Sequence, residues 1–445
     1  MNNFNILDKT IETSLSNFGR IPYGYKILGK VFYDPNTEDI NYACKNLTNI
    51  GENHFVDESP IILVHRGNCS FVTKVRNVEK AGGHVALIID NTEENINRII
   101  MADDGRGREL TIPGVLISKK DGLILTDYIM ENKENINKIR LEVDFVMEHA
   151  NNTVKYDLYT TSDNEVVYKL IKDFYYYQIQ LFDQANLNVH YITYQNPLYV
   201  PFAHDSNPSF EDCLGRGKYC NNPGKFGTED GREIVYESIK QKCVYKYAYE
   251  DTEDNKNLYW EYMIEFYDMC LNITRPTFDR ECSMRASKSV GIPTENINKC
   301  IHDSYMANDF ERRLVNYEYL VENSLLNADN QDRYNYLINL VPSITINGRT
   351  FWGNWVASNL FEAICAGFNK KPEVCYTEGA FQKERSLGAF FVFMIIVLVI
   401  GVNILIFLAC RRYIQRKIQE RLESTDINHK INTVVSSYLA LRETK

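Results

Sequence analysis

Charge vanishes from the chain for 24 residues between Leu387 and Cys410, LGAFFVFMIIVLVIGVNILIFLAC, where Asn403 is the one strongly polar side chain. A helix of that length reaches about 36 Å and crosses a hydrocarbon layer of about 30 Å with some tilt. The pattern therefore predicts a membrane span over 387–410. Arg411, Arg412, Arg416 and Lys417 follow it at once, whereas Lys383, Glu384 and Arg385 before it are of mixed sign. The positive-inside rule then puts 411–445 in the cytosol and 1–386 on the lumenal or extracellular side, a type I orientation. That orientation calls for a signal peptide, and MNNFNILDKTIETSL lacks the basic and apolar regions of one, so a removed or upstream signal is expected.

Upstream, residues 17–150 alternate between strand-like and helix-like patterns. The clearest unit runs from Ile61 to Asp90. The apolar run IILV is followed by His65-Arg66-Gly67-Asn68-Cys69-Ser70, then by FVTKVRNVEKAGG and VALIID. Phe71, Val75 and Val78 recur at spacings of four and three, which makes one apolar helix face. Ser70 is a suitable N-cap and Gly82-Gly83 a suitable stop. The unit predicts a β-α-β crossover between parallel strands, with the Arg66–Ser70 turn at the carboxyl end of the first, where open α/β sheets present ligand loops. The N–H groups of the helix start and the forked guanidinium of Arg66 suit the carbonyls or carboxylates of a peptide. The competing role for Arg66 is structural, an ion pair with a nearby carboxylate that stiffens the turn.

Between 151 and 375 the pattern predicts a strand (154–162), a helix (164–186) and a second strand (187–194). Far downstream a hairpin follows around Asn347-Gly348, with Pro342 just before it, and then a helix within 354–368. Strand, helix, strand, long insertion, hairpin and closing helix is a thioredoxin-like order. A thiol oxidoreductase on such a frame needs Cys-X-X-Cys at the start of the first helix, where Thr161-Ser162-Asp163-Asn164 stands. No Cys-X-X-Cys occurs in the chain. The cysteines read as staples, and no catalytic residue is assigned.

Composition narrows the classes. Lys+Arg 49 against Asp+Glu 59 gives a net charge of −10, which disfavours nucleic acid as a partner. Of 11 cysteines, ten precede the span: Cys44, Cys69, Cys213, Cys220, Cys243, Cys270, Cys282, Cys300, Cys365 and Cys375. An even number fits disulfides in an oxidising compartment. Asn-X-Ser/Thr acceptors at Asn46, Asn68, Asn151 and Asn272 lie on the same side, as candidate glycosylation sites. The eight histidines have no metal-ligand spacing, so no metal and no cofactor is expected. They are also the groups through which binding would respond to an acidic compartment. His-Glu-X-X-His, Gly-X-Ser-X-Gly and paired aspartates in the span are all missing, so no enzyme class is indicated.

NFGRIPYGYKILGKVFYDPN (17–36), ACKNL (43–47), ILVHRGNCSFVTKVRNVEKAGGHVALIIDN (62–91) and LTIPGVLIS (110–118) together resemble a protease-associated domain, most closely that of plant vacuolar sorting receptors. The resemblance continues through DCLGRGKYCNNPG, KCVYKYA, WEYMIEFYDMC, ECSMRASKSVGIPTENINKCI, VPSITINGRTFWG and EAICAGFNKKPEVC, which run in the order of that family's central domain. It implies a protease-associated domain over 1–150 and a disulfide-stapled thioredoxin-like domain over 151–380, α/β and α+β in class. A transmembrane helix over 387–410 and a short cytosolic tail over 411–445 would follow. It further implies that Arg66, Gly67, Asn68, Cys69, Ser70 and Phe71 hold the sorting signal of a soluble cargo protein, beside a second, movable loop at 100–107. Cys44 and Cys69, the two cysteines of this region, are expected to pair. Asn68 stands where the family commonly has Asp, and Asn196-Pro197 where it often has Cys-Pro. The EGF-like repeats are missing, since 11 residues separate Cys375 from Leu387.

The tail has eight Lys/Arg, four Asp/Glu and no cysteine, which excludes a zinc-bound RING module. Tyr438-Leu439-Ala440-Leu441 is a Tyr-X-X-apolar tetrapeptide of the kind clathrin adaptors bind in extended form, with Tyr438 and Leu441 filling pockets. The alternative for this segment is an amphipathic helix on the membrane surface. The reading is a cargo receptor of the Golgi, trans-Golgi network and prevacuolar or endosomal membranes. Its rivals are a membrane-anchored lumenal chaperone or disulfide oxidoreductase, and a cell-surface adhesion protein.

Overall fold

A computed structural model describes residues 10–33, 41–47, 59–132, 139–150, 153–199, 212–224, 230–251, 256–273, 280–305, 322–376 and 379–442, with 280, 379–397 and 440–442 as backbone alone. The chain divides into two units, 1–376 and 377–445.

The first unit opens with a six-stranded sheet of order β1-β5-β4-β3-β2-β6. Its strands are β1 (Thr13–Leu15), β2 (Lys26–Phe32), β3 (Ser59–His65), β4 (Val85–Ile89), β5 (Gly114–Ile117) and β6 (Arg140–Asp144). The strands from β2 to β5 are parallel, and β1 and β6 are antiparallel additions at the two edges. Burial follows place in the sheet. Central β4 is buried throughout and reads as a continuous apolar run, while edge strand β6 alternates. Helix α1 (Phe71–Lys80) makes the β3-to-β4 crossover. Val72, Val75 and Val78 on it are fully buried against the sheet, each contributing about 1.5–3 kcal/mol. Helix α2 (Lys119–Glu131) follows β5.

The second part of this unit is a sheet of order β12-β11-β7-β8, from β7 (Val154–Thr160), β8 (Ala185–Tyr191), β11 (Ser343–Ile346) and β12 (Arg349–Thr350). The strands β7 and β8 are parallel and joined through α3 (Glu165–Leu181), whereas β11 is antiparallel to β7. The helix and the second strand are shorter than the pattern suggested, because Phe182 at φ 44° ends α3 and a 3₁₀ turn follows. Asn347 (φ 48°) and Gly348 (φ 83°) make the hairpin turn, both in the left-handed region a two-residue turn demands. The Val341–Pro342 peptide is cis. The long insertion holds the small ribbon β9 (Cys213–Leu214) and β10 (Tyr219–Cys220), and helices α4 (Gly231–Tyr245), α5 (Asn257–Phe266), α6 (Arg280–Ser289), α7 (Thr294–Ser304) and α8 (Ser324–Asn335). Helix α9 (Ala357–Ala366) closes the domain.

All ten cysteines before the span are paired: 44–69, 213–220, 243–300, 270–282 and 365–375. The expected staples and the 44–69 bridge are both present.

The two sheets are tied together by the segment after β12. Asn354 accepts from the Gly19 N–H (3.1 Å) and donates its own N–H to Gly19 C=O (2.8 Å), while the Gly353 N–H reaches Ser16 C=O (3.0 Å). Gly353 has φ 96°, and a Cβ there would meet Gly19 O at 2.9 Å. The side-chain amide of Asn354 also donates to the carbonyls of Arg108 and Leu110, just past the loop at 100–107.

The second unit is one helix, α10 (Gly379–Arg442), of 64 residues. It is the one helix among the described residues long and apolar enough to cross a membrane. It runs beyond Cys410 without a break, so the expected separate tail is helical to Arg442.

Candidate functional site

The Arg66–Ser70 turn lies at the carboxyl end of β3, as the crossover pattern implied. Its conformation is set by two left-handed residues, Gly67 (φ 121°) and Asn68 (φ 65°), and asparagine tolerates that region better than most residues. Ser70 caps α1, its Oγ accepting from the Thr73 N–H at 3.2 Å. Asn68 is exposed, and the other residues from Arg66 to Phe71 are half-buried.

Arg66 is not a free fork. Its Nη1 donates to Asp90 Oδ1 at 2.7 Å, and its guanidinium lies 5.7 Å from the Phe71 ring centroid. Asp90 is fully buried at the end of β4, the neighbouring strand, where it also accepts from the Asn91 N–H and the Thr92 hydroxyl. Burial alone would raise the Asp90 pKa. The donors Thr92, Arg66 and the Asn91 N–H outweigh it and hold the carboxyl below its ordinary value. The structural role weighed for Arg66 is therefore realised, yet 30% of its side chain stays open to solvent.

Two further groups shape the turn, and the sequence reading missed both Asp90 and Lys74. The ammonium of Lys74, on α1, is buried and donates to the carbonyls of Gly67 and Tyr42 at 2.6 Å each, 3.7 Å from Cys44 Sγ. Burial lowers its pKa to about 8. A lysine one position before Val75 on the apolar face was the available signal.

The second loop folds over the start of α1. Ser70 Oγ donates to Asp104 Oδ2 at 2.7 Å, and Arg76 donates to Arg106 C=O. Asp103 Oδ1 gathers the N–H groups of Gly105, Arg106 and Gly107. Hydrogen bonds from Arg106 and then Ser70 lower the Asp104 pKa to about 2. Among the described residues, the two loops meet through one exposed hydroxyl–carboxylate bond, from Ser70 to Asp104.

At the start of α3, where a redox pair would stand, Ser162 Oγ donates to Ile234 C=O at 2.7 Å and Asn164 caps the helix. Deeper in this domain His190, 2% exposed, lies between acids. Its Nε2 is 3.3 Å from Asp157, and its Nδ1 is 3.3 Å from Asp329 and 3.6 Å from Asp332. Burial alone would lower its pKa, but Asp157 and Asp329 outweigh that and raise it. A raised folded-state pKa stabilises fully below the ordinary value of about 6.5 and is lost as pH climbs through the folded value. Thermal unfolding scanned from about pH 5.5 to about pH 8.5 should show the midpoint falling with pH, and His190→Gln should flatten that slope. A slope unchanged by the substitution would remove His190 as its source.

Of the acceptor asparagines, Asn46, Asn68 and Asn272 are exposed, and Asn151 lies outside the described residues. Tyr438 is 76% exposed but helical, so the extended form expected of 438–441 requires the end of α10 to unwind.

The architecture defines a class: a PA domain and a thioredoxin-like domain, stapled by disulfides, ahead of a helix of membrane-crossing length. The family model described as the vacuolar sorting receptor thioredoxin-like domain matches residues 154–365, and that of the PA domain matches 29–125. Vacuolar-sorting receptor 7 of Arabidopsis thaliana is 27% identical over 393 residues, 84% of this chain and 59% of that protein. Vacuolar-sorting receptor 1 of Pisum sativum is 27% identical over 393 residues, 84% of this chain and 60% of that one. Among solved structures, the reduced disulfide bond oxidoreductase DsbG of Mycobacterium tuberculosis matches at TM-score 0.30 and 10% identity, covering 50% of this chain and 84% of that one. The chain is similar to vacuolar sorting receptors in both of these domains, and 11 residues without EGF-like repeats separate Cys375 from its apolar span. It covers about three-fifths of the length of the curated relatives it matches.

Proposed function

We propose that this chain is a single-pass type I receptor of the secretory and endosomal membranes. In this reading the PA domain binds soluble cargo proteins through a sorting segment, and the tail recruits clathrin adaptors. Arg66 to Phe71 hold the cargo segment, with the 100–107 loop as a second wall. The observation that carries the reading is a rigidly braced turn with an open rim. Arg66 is fixed by a buried carboxylate, Gly67 by a buried ammonium and Cys69 by a disulfide, while Asn68 and part of the guanidinium face solvent. Binding energy is best kept when such donors are pre-positioned, because little conformational entropy is then lost on association. Adaptor recruitment rests on Tyr438 and Leu441, and residence would span the Golgi, trans-Golgi network and prevacuolar or endosomal membranes. Asn46, Asn68, Asn151 and Asn272 would be glycosylated on the lumenal side.

Imaging of the full chain tests the trafficking half. Tyr438→Ala should shift the receptor from Golgi and endosomal membranes to the cell surface. A distribution identical to that of the unaltered chain would remove the tail tetrapeptide from the account.

A further inference from the structure

Four of the five bridges are shielded by the fold on at least one side, because Cys213, Cys220, Cys243, Cys270, Cys282 and Cys365 are all buried. The fifth differs. Cys44 and Cys69 are both half-buried, and Cys69 belongs to the PA turn itself. Access of a reagent to a sulfur is the first requirement for thiol–disulfide exchange.

A buried cation stands beside this bridge. Lys74 is 0% exposed. Its ammonium donates to the Gly67 and Tyr42 carbonyls at 2.6 Å each, and it lies 3.7 Å from Cys44 Sγ and 5.4 Å from the centroid of the Tyr42 ring. Among the described residues no carboxylate pairs with it. Burial is what moves its pKa, down to about 8, so it still carries its charge at neutral pH. A buried ammonium without a counter-ion is costly, and carbonyls offer it partial charges alone. A thiolate at Cys44 would complete the pair, and cleavage of the bridge makes one. A thiol beside a lysine ammonium is the better leaving group of the two, since the cation lowers the cost of its anion.

We propose that Cys44–Cys69 is a thiol-exchange site opened by a soluble dithiol, with Cys69 as the sulfur attacked and Cys44 as the leaving group. One thiolate of the dithiol attacks Cys69 Sγ. A new S–S bond forms there as the old one breaks, and the electron pair of the old bond goes to Cys44 as a thiolate beside Lys74. The second sulfur of the dithiol then attacks the first and expels Cys69. The dithiol leaves as a disulfide, having given two electrons to the bridge; one of its protons ends on Cys69 and the other goes to solvent. The other four bridges remain staples. For its consequence the proposal rests on the cargo-turn reading: opening removes the disulfide brace and draws Lys74 from the Gly67 carbonyl toward the thiolate, so the turn loosens and its hold on cargo weakens. The pair of Arg66 with Asp90 stays in place.

The test uses the full chain in nanodiscs, with Cys410, its free cysteine, blocked beforehand. Dithiothreitol is the dithiol probe; newly formed thiols are alkylated, and each bridge is followed by peptide mass spectrometry. The 44–69 bridge should open about tenfold or more faster than any of the other four. Lys74→Gln keeps a side-chain donor and removes the charge, so it should slow that opening by about tenfold. A loosened fold would open faster, so slowing reads the charge. Glutathione, a monothiol, halts the reaction at the mixed disulfide, and its adduct should sit on Cys69. After opening, amide hydrogen exchange in 66–74 should speed up. Three results on the unaltered chain would each overturn the proposal: 44–69 opening no faster than the other four, adducts on Cys44 as often as on Cys69, and unchanged amide exchange in 66–74. Opening at an unaltered rate in Lys74→Gln would overturn it too. None of these readings uses cargo, so the exchange site can fail while the cargo reading stands, and cargo found to bind elsewhere would leave the exchange chemistry in place.

Discussion

Arg66→Ala should lower capture of cargo by the full chain by about tenfold or more and cost about 2 kcal/mol of stability. Both losses come from one side chain, whose Nη1 holds Asp90 and whose remaining face is open to solvent. Asp90 is fully buried, and Arg66 is its charged partner at 2.7 Å. The alanine variant leaves that carboxylate with only the Asn91 N–H and the Thr92 hydroxyl. Breaking a fully buried pair costs about 3–5 kcal/mol, and the 30% exposure of the arginine brings the figure down, because solvent reaches its place in the variant. Arg66→Lys separates the two effects. A lysine ammonium returns a positive charge to Asp90, so most of the stability should recover. It has no second arm for a guest carbonyl, so capture should not recover. Recovery of both together would mean that Arg66 acts only as a brace. The acid limit follows from the depressed Asp90 pKa: the pair's contribution is present above the ordinary carboxylate value of about 3.9 and is lost as pH falls through the lower folded value.

Glu237→Leu should cost more, about 3–5 kcal/mol, read as a lowered thermal midpoint of the full chain. Glu237 sits inside α4, its side chain 5% exposed. Its Oε1 accepts from Gln241, from the Tyr262 hydroxyl on α5 and from Ser283 on α6, at 3.2, 3.2 and 2.8 Å. Its Oε2 pairs with Lys240 at 3.2 Å. One carboxylate thus joins three helices, and leucine would strand several buried donors at once. Glu237→Gln keeps an acceptor oxygen in the same volume and should cost about 1–2 kcal/mol. Equal losses for the two variants would mean that packing, rather than the carboxylate, holds these helices.

The contrast between Arg66 and Glu237 shows what a sequence carries. The β3–α1–β4 unit was legible because its period changes from strand to helix and back within 30 residues. Asp90 was within reach too: it ends the strand parallel to β3, which brings it beside Arg66 in register. Glu237 was not, because its partners Tyr262 and Ser283 come from helices that meet α4 only in the folded insertion. Buried Glu237, Lys240, Gln241 and Lys242 look like a solvated face along the chain. His190 was hidden for the same reason, since Asp329 and Asp332 belong to α8, well over 100 residues on. The tail tetrapeptide was visible as a motif, and the helix that the structure shows there was the alternative weighed for the segment, since nothing in Tyr-X-X-Leu itself sets a conformation.

Amide hydrogen exchange of the full chain in nanodiscs, with and without saturating cargo peptide, tests the central claim most directly. Cargo should slow exchange in 66–74 and in 100–107. Slowed exchange elsewhere, with both of these stretches unchanged, would contradict the assignment of the PA turn as the cargo site.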